Sequence, residues 1–182
     1  MYSIKSERIT LIPLNTLHLK VWQLESRSKL EKYLNLNHNN WLSVNTEVEM
    51  ETAEALVNYW LPETINNPEK YFWFTNWEIV LNSQNISIGG IGFGGYPTNA
   101  KTPIGYIIDE KYQNKGYATE ALNCLISWAF EDPKLDFVLA DTPKENWSSQ
   151  KVLLKNGFVK IGNGVAEHNK NIEVINWQKT RS

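Results

Sequence analysis

The stretch Gly105-Tyr106-Ile107-Ile108-Asp109-Glu110-Lys111-Tyr112-Gln113-Asn114-Lys115-Gly116-Tyr117-Ala118-Thr119-Glu120-Ala121-Leu122 decides how the rest of the chain is read. It begins with strand character, crosses a short polar loop and enters a segment where Ala121, Leu122, Leu125, Ile126 and Ala129 recur on one helical face. Pro133 ends that helix, because proline cannot continue the helical hydrogen-bond ladder. The first turn of a helix leaves N–H groups unpaired and concentrates partial positive charge, so its natural partner is a diphosphate. Gly116 lets the backbone approach a ligand closely, Lys115 adds charge at the rim, and Thr119 offers a hydroxyl.

Working outward, seven short apolar or alternating segments read as strands: residues 8–14, 71–81, 86–93, 103–108, 137–141, 158–162 and 173–178. Four helical patterns lie between them, at residues 17–34, 50–61, 118–130 and 148–156. Residues 35–46, NLNHNNWLSVNT, are asparagine-rich and read as a mobile loop carrying Trp41. There is no internal repeat, low-complexity tail or interdomain linker, so residues 1–182 are expected to form a single domain of the α+β class.

Composition narrows the function classes. A chain of 182 residues can bury a core without metals or disulfides. Its formal net charge of -2 provides no global basic field for nucleic acid or an anionic membrane. Cys124 is the one cysteine, which excludes an internal disulfide and a thiolate metal cluster and suits a reducing compartment. His18 and His38 have no partner at ligand spacing, so no metal is expected. The N-terminus lacks a signal-peptide profile and no apolar run is long enough to cross a membrane, so the expected location is the cytoplasm.

Gly90, Gly92 and Gly95 match the G-x-G-x-x-G spacing of dinucleotide-binding proteins. That fingerprint works only where a helix begins, and here Pro97 and Pro103 follow with no helical periodicity. Two strands joined by a hairpin-like connection fit better.

Gln113-Asn114-Lys115-Gly116-Tyr117-Ala118 resembles the Q/R-x-x-G-x-G/A signature of the GNAT superfamily of N-acetyltransferases. Asn146, followed by a short helical pattern and Gly157-Phe158, resembles that family's second hallmark. The wording is closest to the RimJ/RimL branch, which includes ribosomal-protein, drug-modifying and polyamine-modifying acetyltransferases. The resemblance implies a GNAT-type fold: a central mixed, mostly antiparallel sheet of about seven strands flanked by about four helices. It implies acetyl-CoA as co-substrate, direct transfer to a primary amine of a small molecule or protein N-terminus, and is compatible with a homodimer.

By the same resemblance, Gln113, Asn114, Lys115, Gly116, Tyr117, Ala118 and Thr119 cradle the pyrophosphate. Asn146, with Ile107 and Ile108, borders the pantetheine arm, and a backbone N–H within Tyr106, Ile107 and Ile108 faces the oxyanion. Many relatives protonate the thiolate with a tyrosine seven residues after the asparagine, but Leu153 stands there. Ser149 takes that role in the RimJ/RimL branch. Leu153 equally suits a non-catalytic acyl-CoA binding or sensing module. For the general base, Glu167 beside His168 is the first candidate, with Glu78 and a water relay as alternatives. Glu120 is explained by the helix dipole. Cys124 reads as a buried thiol, and Trp22, Trp41 and Trp60 lie in elements that cover the acceptor side in the family.

Overall fold

The computed structural model describes residues 2–40, 46–166 and 171–181; Trp41, Glu167 and His168 lie outside them. Eight strands make one sheet: β1 (Ile4–Lys5), β2 (Ile9–Pro13), β3 (Trp77–Leu81), β4 (Ile86–Phe93), β5 (Lys101–Ile108), β6 (Phe137–Pro143), β7 (Val159–Val165) and β8 (Glu173–Thr180). Their order is β1-β2-β3-β4-β5-β6-β8-β7, and β5–β6 is the parallel pair in an otherwise antiparallel sheet. Six α-helices accompany them among the described residues: α1 (Thr16–Leu24), α2 (Arg27–Tyr33), α3 (Thr46–Ala55), α4 (Leu61–Asn66), α5 (Tyr117–Ala129) and α6 (Trp147–Lys155).

Alternation along β3 builds the layers. Trp77, Ile79 and Leu81 enter one core with Leu122, Leu125 and Ile126 of α5. Val80 enters a second core with Leu19 of α1 and Leu30 of α2. Each fully buried leucine contributes about 1.5–3 kcal/mol by leaving water. Trp73, Trp77, Phe93 and Trp128 pack their rings together within the first core.

The count of seven strands and four helices differs from the structure for local reasons. β1 has two residues, too few for periodicity. Residues 17–34 form two helices because Ser26 is extended (φ -175°) and its side chain accepts from Lys29 N–H, starting α2 afresh. The segment at 50–61 is longer: α3 passes through a π-turn (Leu56–Trp60) into α4. Pro62 lacks the N–H that would pair with Asn58, and the wider turn accommodates its ring. The expected strand at 71–81 begins only at Trp77; Pro68–Trp73 is 3₁₀, and Trp77 Nε1–H donates to Phe72 O at 2.8 Å.

The described part of the asparagine-rich loop is pinned rather than loose. Asn37 N–H donates to Asn85 O (2.8 Å), Asn37 Nδ2 to Gln84 O (2.8 Å), Asn85 Nδ2 to Asn35 O (2.8 Å) and Asn39 Nδ2 to Ser87 O (2.8 Å). The amide side chains thus tie residues 35–40 to the β3–β4 turn. The glycines of β4 belong to the strand, not to a nucleotide fold. A Cβ at Gly90 would lie 2.3 Å from Asn76 Oδ1, and one at Gly92 would lie 2.6 Å from Thr75 O.

Candidate active site

β5 changes partners along its length. Lys101, Thr102 and Pro103 pair with β6, whereas Ile104 to Ile108 pair with β4 alone, so β5 and β6 part beyond Pro103 and Leu139. Gly94 N–H donates to Pro103 O and Asp109 N–H to Ile88 O, which fixes the odd-numbered residues of β5 as facing β4. By the alternation of an antiparallel ladder, the main-chain groups of Tyr106 and Ile108 face the gap. Gln113 Nε2 donates to Ile108 O at 2.8 Å, so the glutamine of the signature closes the strand's end rather than pointing to solvent.

Below the gap, Asp109 caps a 3₁₀ turn and the chain reaches α5 through Asn114 (φ 59°) and Gly116 (φ 84°). The left-handed backbone at Gly116 is where a side chain would be strained. Gly116 is the N-cap and has no side chain to offer, so the N–H groups of Tyr117, Ala118 and Thr119 have no intrahelical acceptor. Glu120 does more than complement the dipole. Arg8 N–H donates to its Oε1 (2.8 Å) and Arg8 Nε to its Oε2 (2.7 Å). Burial opposes the charge on Glu120, but the bonds from Arg8 prevail and hold its carboxyl below the usual range.

A cavity of about 510 Å³ joins gap and helix end. It is lined by Tyr106, Ile107 and Ile108 from β5, by Gln113, Asn114, Gly116, Tyr117, Ala118 and Thr119, and by Asn146 and Ser149. Lys115 departs from the set: it does not line the cavity, and its Nζ donates to Lys111 O (2.9 Å) beside the Tyr112 ring. Tyr112, Ser148, Lys151, Val152 and Lys155 line the cavity too and were not anticipated. Ser148, Lys151, Val152 and Lys155 stand at helical spacing on one face of α6, so that stripe was readable.

Asn146 is the N-cap of α6, its Oδ1 accepting from Ser149 N–H at 3.0 Å. Its Nδ2 group is what it can offer a ligand. Ser149 is half-buried on the cavity wall, and its carbonyl accepts from Tyr106 Oη at 3.2 Å. Burial pushes the Tyr106 hydroxyl up to about 12. Leu153 is fully buried in the core and absent from the lining, so that position presents no side chain to the cavity. Burial also raises the Cys124 thiol, consistent with an unreactive residue.

Glu78, read from sequence as a strand carboxylate, is fully buried and not a solvated charge. Arg27 Nη1 donates to its Oε1 (2.7 Å) and Nη2 pairs with its Oε2; Ser87 Oγ (2.5 Å) and Asn76 Nδ2 (2.9 Å) add bonds. Its oxygens are therefore engaged. Arg27 also lies 4.8 Å over the ring of Trp22, which is 6.0 Å from Trp60. Glu167 lies outside the described residues. No described helix is long and apolar enough to cross a membrane.

Comparison with known proteins gives the same direction as the geometry. The uncharacterized N-acetyltransferase YjdG of Bacillus subtilis is 36% identical over 87 residues, 47% of this chain and 52% of that protein, so the match spans about half the relative's length. A ribosomal-protein-serine acetyltransferase of Escherichia coli is 34% identical over 76 residues, 41% of this chain and 42% of its own. Among solved structures, the ribosomal alpha-N-protein acetyltransferase RimL in complex with coenzyme A superposes with a TM-score of 0.67 at 18% identity, covering 98% of each chain, a likeness of fold. Residues 8–159 match the acetyltransferase (GNAT) domain family, and the chain belongs to that family.

Proposed function

We propose that this protein transfers an acetyl group from acetyl-CoA directly to a primary amine, of a small molecule or a protein N-terminus, within a ternary complex. The observation that carries this reading is the continuous cavity from the β5–β6 gap to the N-terminus of α5. Its two ends suit the two chemistries of coenzyme A. The gap presents main-chain groups of Tyr106 and Ile108 and the Asn146 amide to an arm rich in amides. The N–H groups of Gly116, Tyr117, Ala118 and Thr119 meet the diphosphate, with Gln113 and Asn114 shaping the loop. Lys151 and Lys155 add cations that the sequence signature does not contain. Lys115 supplies charge near the rim.

In the reaction the amine nitrogen forms a bond to the thioester carbonyl carbon, whose oxygen becomes an oxyanion. A gap-side N–H, of Tyr106 or Ile108, stabilises that charge without moving. Collapse breaks the C–S bond, and the thiolate takes the Ser149 Oγ proton, which the serine recovers from solvent. The amine loses its own proton to Glu167 or to water. Trp22 and Trp60, packed 6.0 Å apart against the second core, are the aromatic faces that the resemblance assigns to the acceptor side, able to hold an apolar stem or a cation. The names of the relatives point to a protein N-terminus as one acceptor class.

The test is calorimetric titration of acetyl-CoA and coenzyme A, followed by release of free thiol in the presence of a panel of amines and N-terminal peptides. Micromolar binding with amine-dependent thiol release is the expected result. Binding without turnover on any amine would leave a sensing module in place of an enzyme, and no binding would overturn the reading entirely.

A further inference from the structure

We propose that Arg8 is a positioning residue of the phosphate cradle, acting on the diphosphate through the Lys115–Gly116 peptide and not by direct contact. The proposal rests on the reading above that the cradle takes coenzyme A. Arg8 stands at the start of β2, remote in sequence from the signature, yet it holds the cradle from its outer side. Its Nη1 donates to Lys115 O at 3.0 Å, and its guanidinium carbon lies 4.7 Å over the Tyr117 ring. Two further bonds, from Arg8 N–H and Nε, fix it to the Glu120 carboxylate. The clamp therefore spans the loop and the first turn of α5.

A trans peptide directs its C=O and the following N–H in opposite senses. With Lys115 O turned to Arg8, the Gly116 N–H is turned away from Arg8. Both Asn114 and Gly116 have positive φ, a conformation that asparagine and glycine enter at little cost but are not locked into by sterics. Glycine lets the 115–116 peptide rotate at little cost, so an outside hold is needed to fix the direction of that N–H. A Cβ at Gly116 would meet Arg8 Nη2 at 3.4 Å, which shows how closely the clamp is seated. The Arg8 side chain is 43% exposed against 14% for Glu120, so solvent reaches the pair from the Arg8 side and weakens what it adds to global stability. The contribution of Arg8 accordingly falls on ligand alignment.

Two variants separate alignment from charge. Arg8→Lys keeps the positive charge and the main-chain bond to Glu120 Oε1, but it replaces the planar fork that spans Glu120 Oε2 and Lys115 O with a single ammonium. Glu120→Ala removes the anchor and leaves the Arg8 charge unneutralised beside the cradle. Coenzyme A is titrated by calorimetry into wild type and both variants. S-acetylpantetheine, which has the arm without the diphosphate, is followed by NMR titration, and melting temperatures are recorded. The expected result is about tenfold weaker coenzyme A binding in both variants, the loss of one well-aligned bond to a charged group, with S-acetylpantetheine affinity and melting temperature unchanged. Unchanged coenzyme A binding, tighter binding by Glu120→Ala, full rescue by Arg8→Lys or equal weakening of both ligands overturns the proposal. A wild type that binds neither ligand overturns the acetyl-CoA reading and this proposal together, whereas a binding wild type with unaffected variants overturns this one alone.

Discussion

The cradle between β5 and α5 presents main-chain donors to an open cavity, whereas the opposite face of the sheet, under α1 and α2, buries side-chain charges against one another. In the first region the polar groups are aimed at solvent and at whatever binds; Gly116 is exposed and Asn146 exposed. In the second, Glu78 has its partners inside the protein, in Arg27, Ser87 and Asn76. One region is built to have its hydrogen bonds completed by a ligand and the other is complete already. Variants in the two should therefore separate ligand affinity from stability.

The largest effect is expected for Arg27→Ala. It leaves the Glu78 carboxylate buried without its cation, a lesion that costs about 3–5 kcal/mol in folding free energy. Denaturant unfolding should show that loss, while calorimetry on the folded variant should return wild-type affinity for coenzyme A. A fall in affinity would mean that the two faces of the sheet are coupled. Next comes Ser149→Ala, with about a 10²-fold fall in kcat, the low end for removing a positioned proton donor. The Kd for acetyl-CoA and the melting temperature should stay as they are. Unchanged kcat would assign the proton to water or to another group.

Gly116→Ala gives the reverse pattern to Arg27→Ala. A side chain in the left-handed region costs about 1–3 kcal/mol, a strain the loop can relieve only by turning its N–H groups. Coenzyme A affinity should drop more than the unfolding free energy does. If stability falls and affinity does not, the cradle tolerates a different loop path.

The same contrast explains what the sequence revealed. Residues 113–119 were legible because their chemistry is local: a glycine, a helix start and the stripe through Leu122, Leu125 and Ile126 all lie within one contiguous run. The gap between β5 and β6 depends on which strand pairs with which, and the family resemblance supplied only its borders, Ile107, Ile108 and Asn146. Arg8 was unreadable as part of the cradle because its partners, Lys115 and Glu120, lie across four strands and four helices in the chain. Glu78, an alternative general base by sequence, could not be read as a buried and paired carboxylate, because its partner Arg27 comes from α2 and nothing in their spacing announces the pair. Leu153 was readable as apolar, but only its burial shows that the position faces the core. Lys151 and Lys155, four residues apart on a helix, were within reach of periodicity.

The smallest effect separates two histidines on the side-chain-organised face. His18 is buried in α1, where Nδ1 accepts from Asn15 N–H at 3.2 Å; burial is the main cause that lowers its pKa. The unfolded chain takes up that proton more readily, so the contribution of His18 is present above its ordinary value near 6.5 and is lost as pH falls. His38 is the opposite case. Its Nδ1 lies 2.7 Å from Glu31 Oε2 and its Nε2 lies 2.7 Å from Asn40 Oδ1, so the doubly protonated ring satisfies both acceptors. The bond to Glu31 is the largest cause of its raised pKa, and its contribution is present below 6.5 and lost as pH rises through the folded value. Unfolding free energies of His18→Gln and His38→Gln, each compared with wild type at pH 5.5 and pH 8, should diverge. The first variant should be penalised more at pH 8, and the second more at pH 5.5. Equal penalties at both pH values for His38→Gln would mean that Glu31 does not hold the charged ring, and that residues 35–40 are kept against the sheet by the asparagine amides alone.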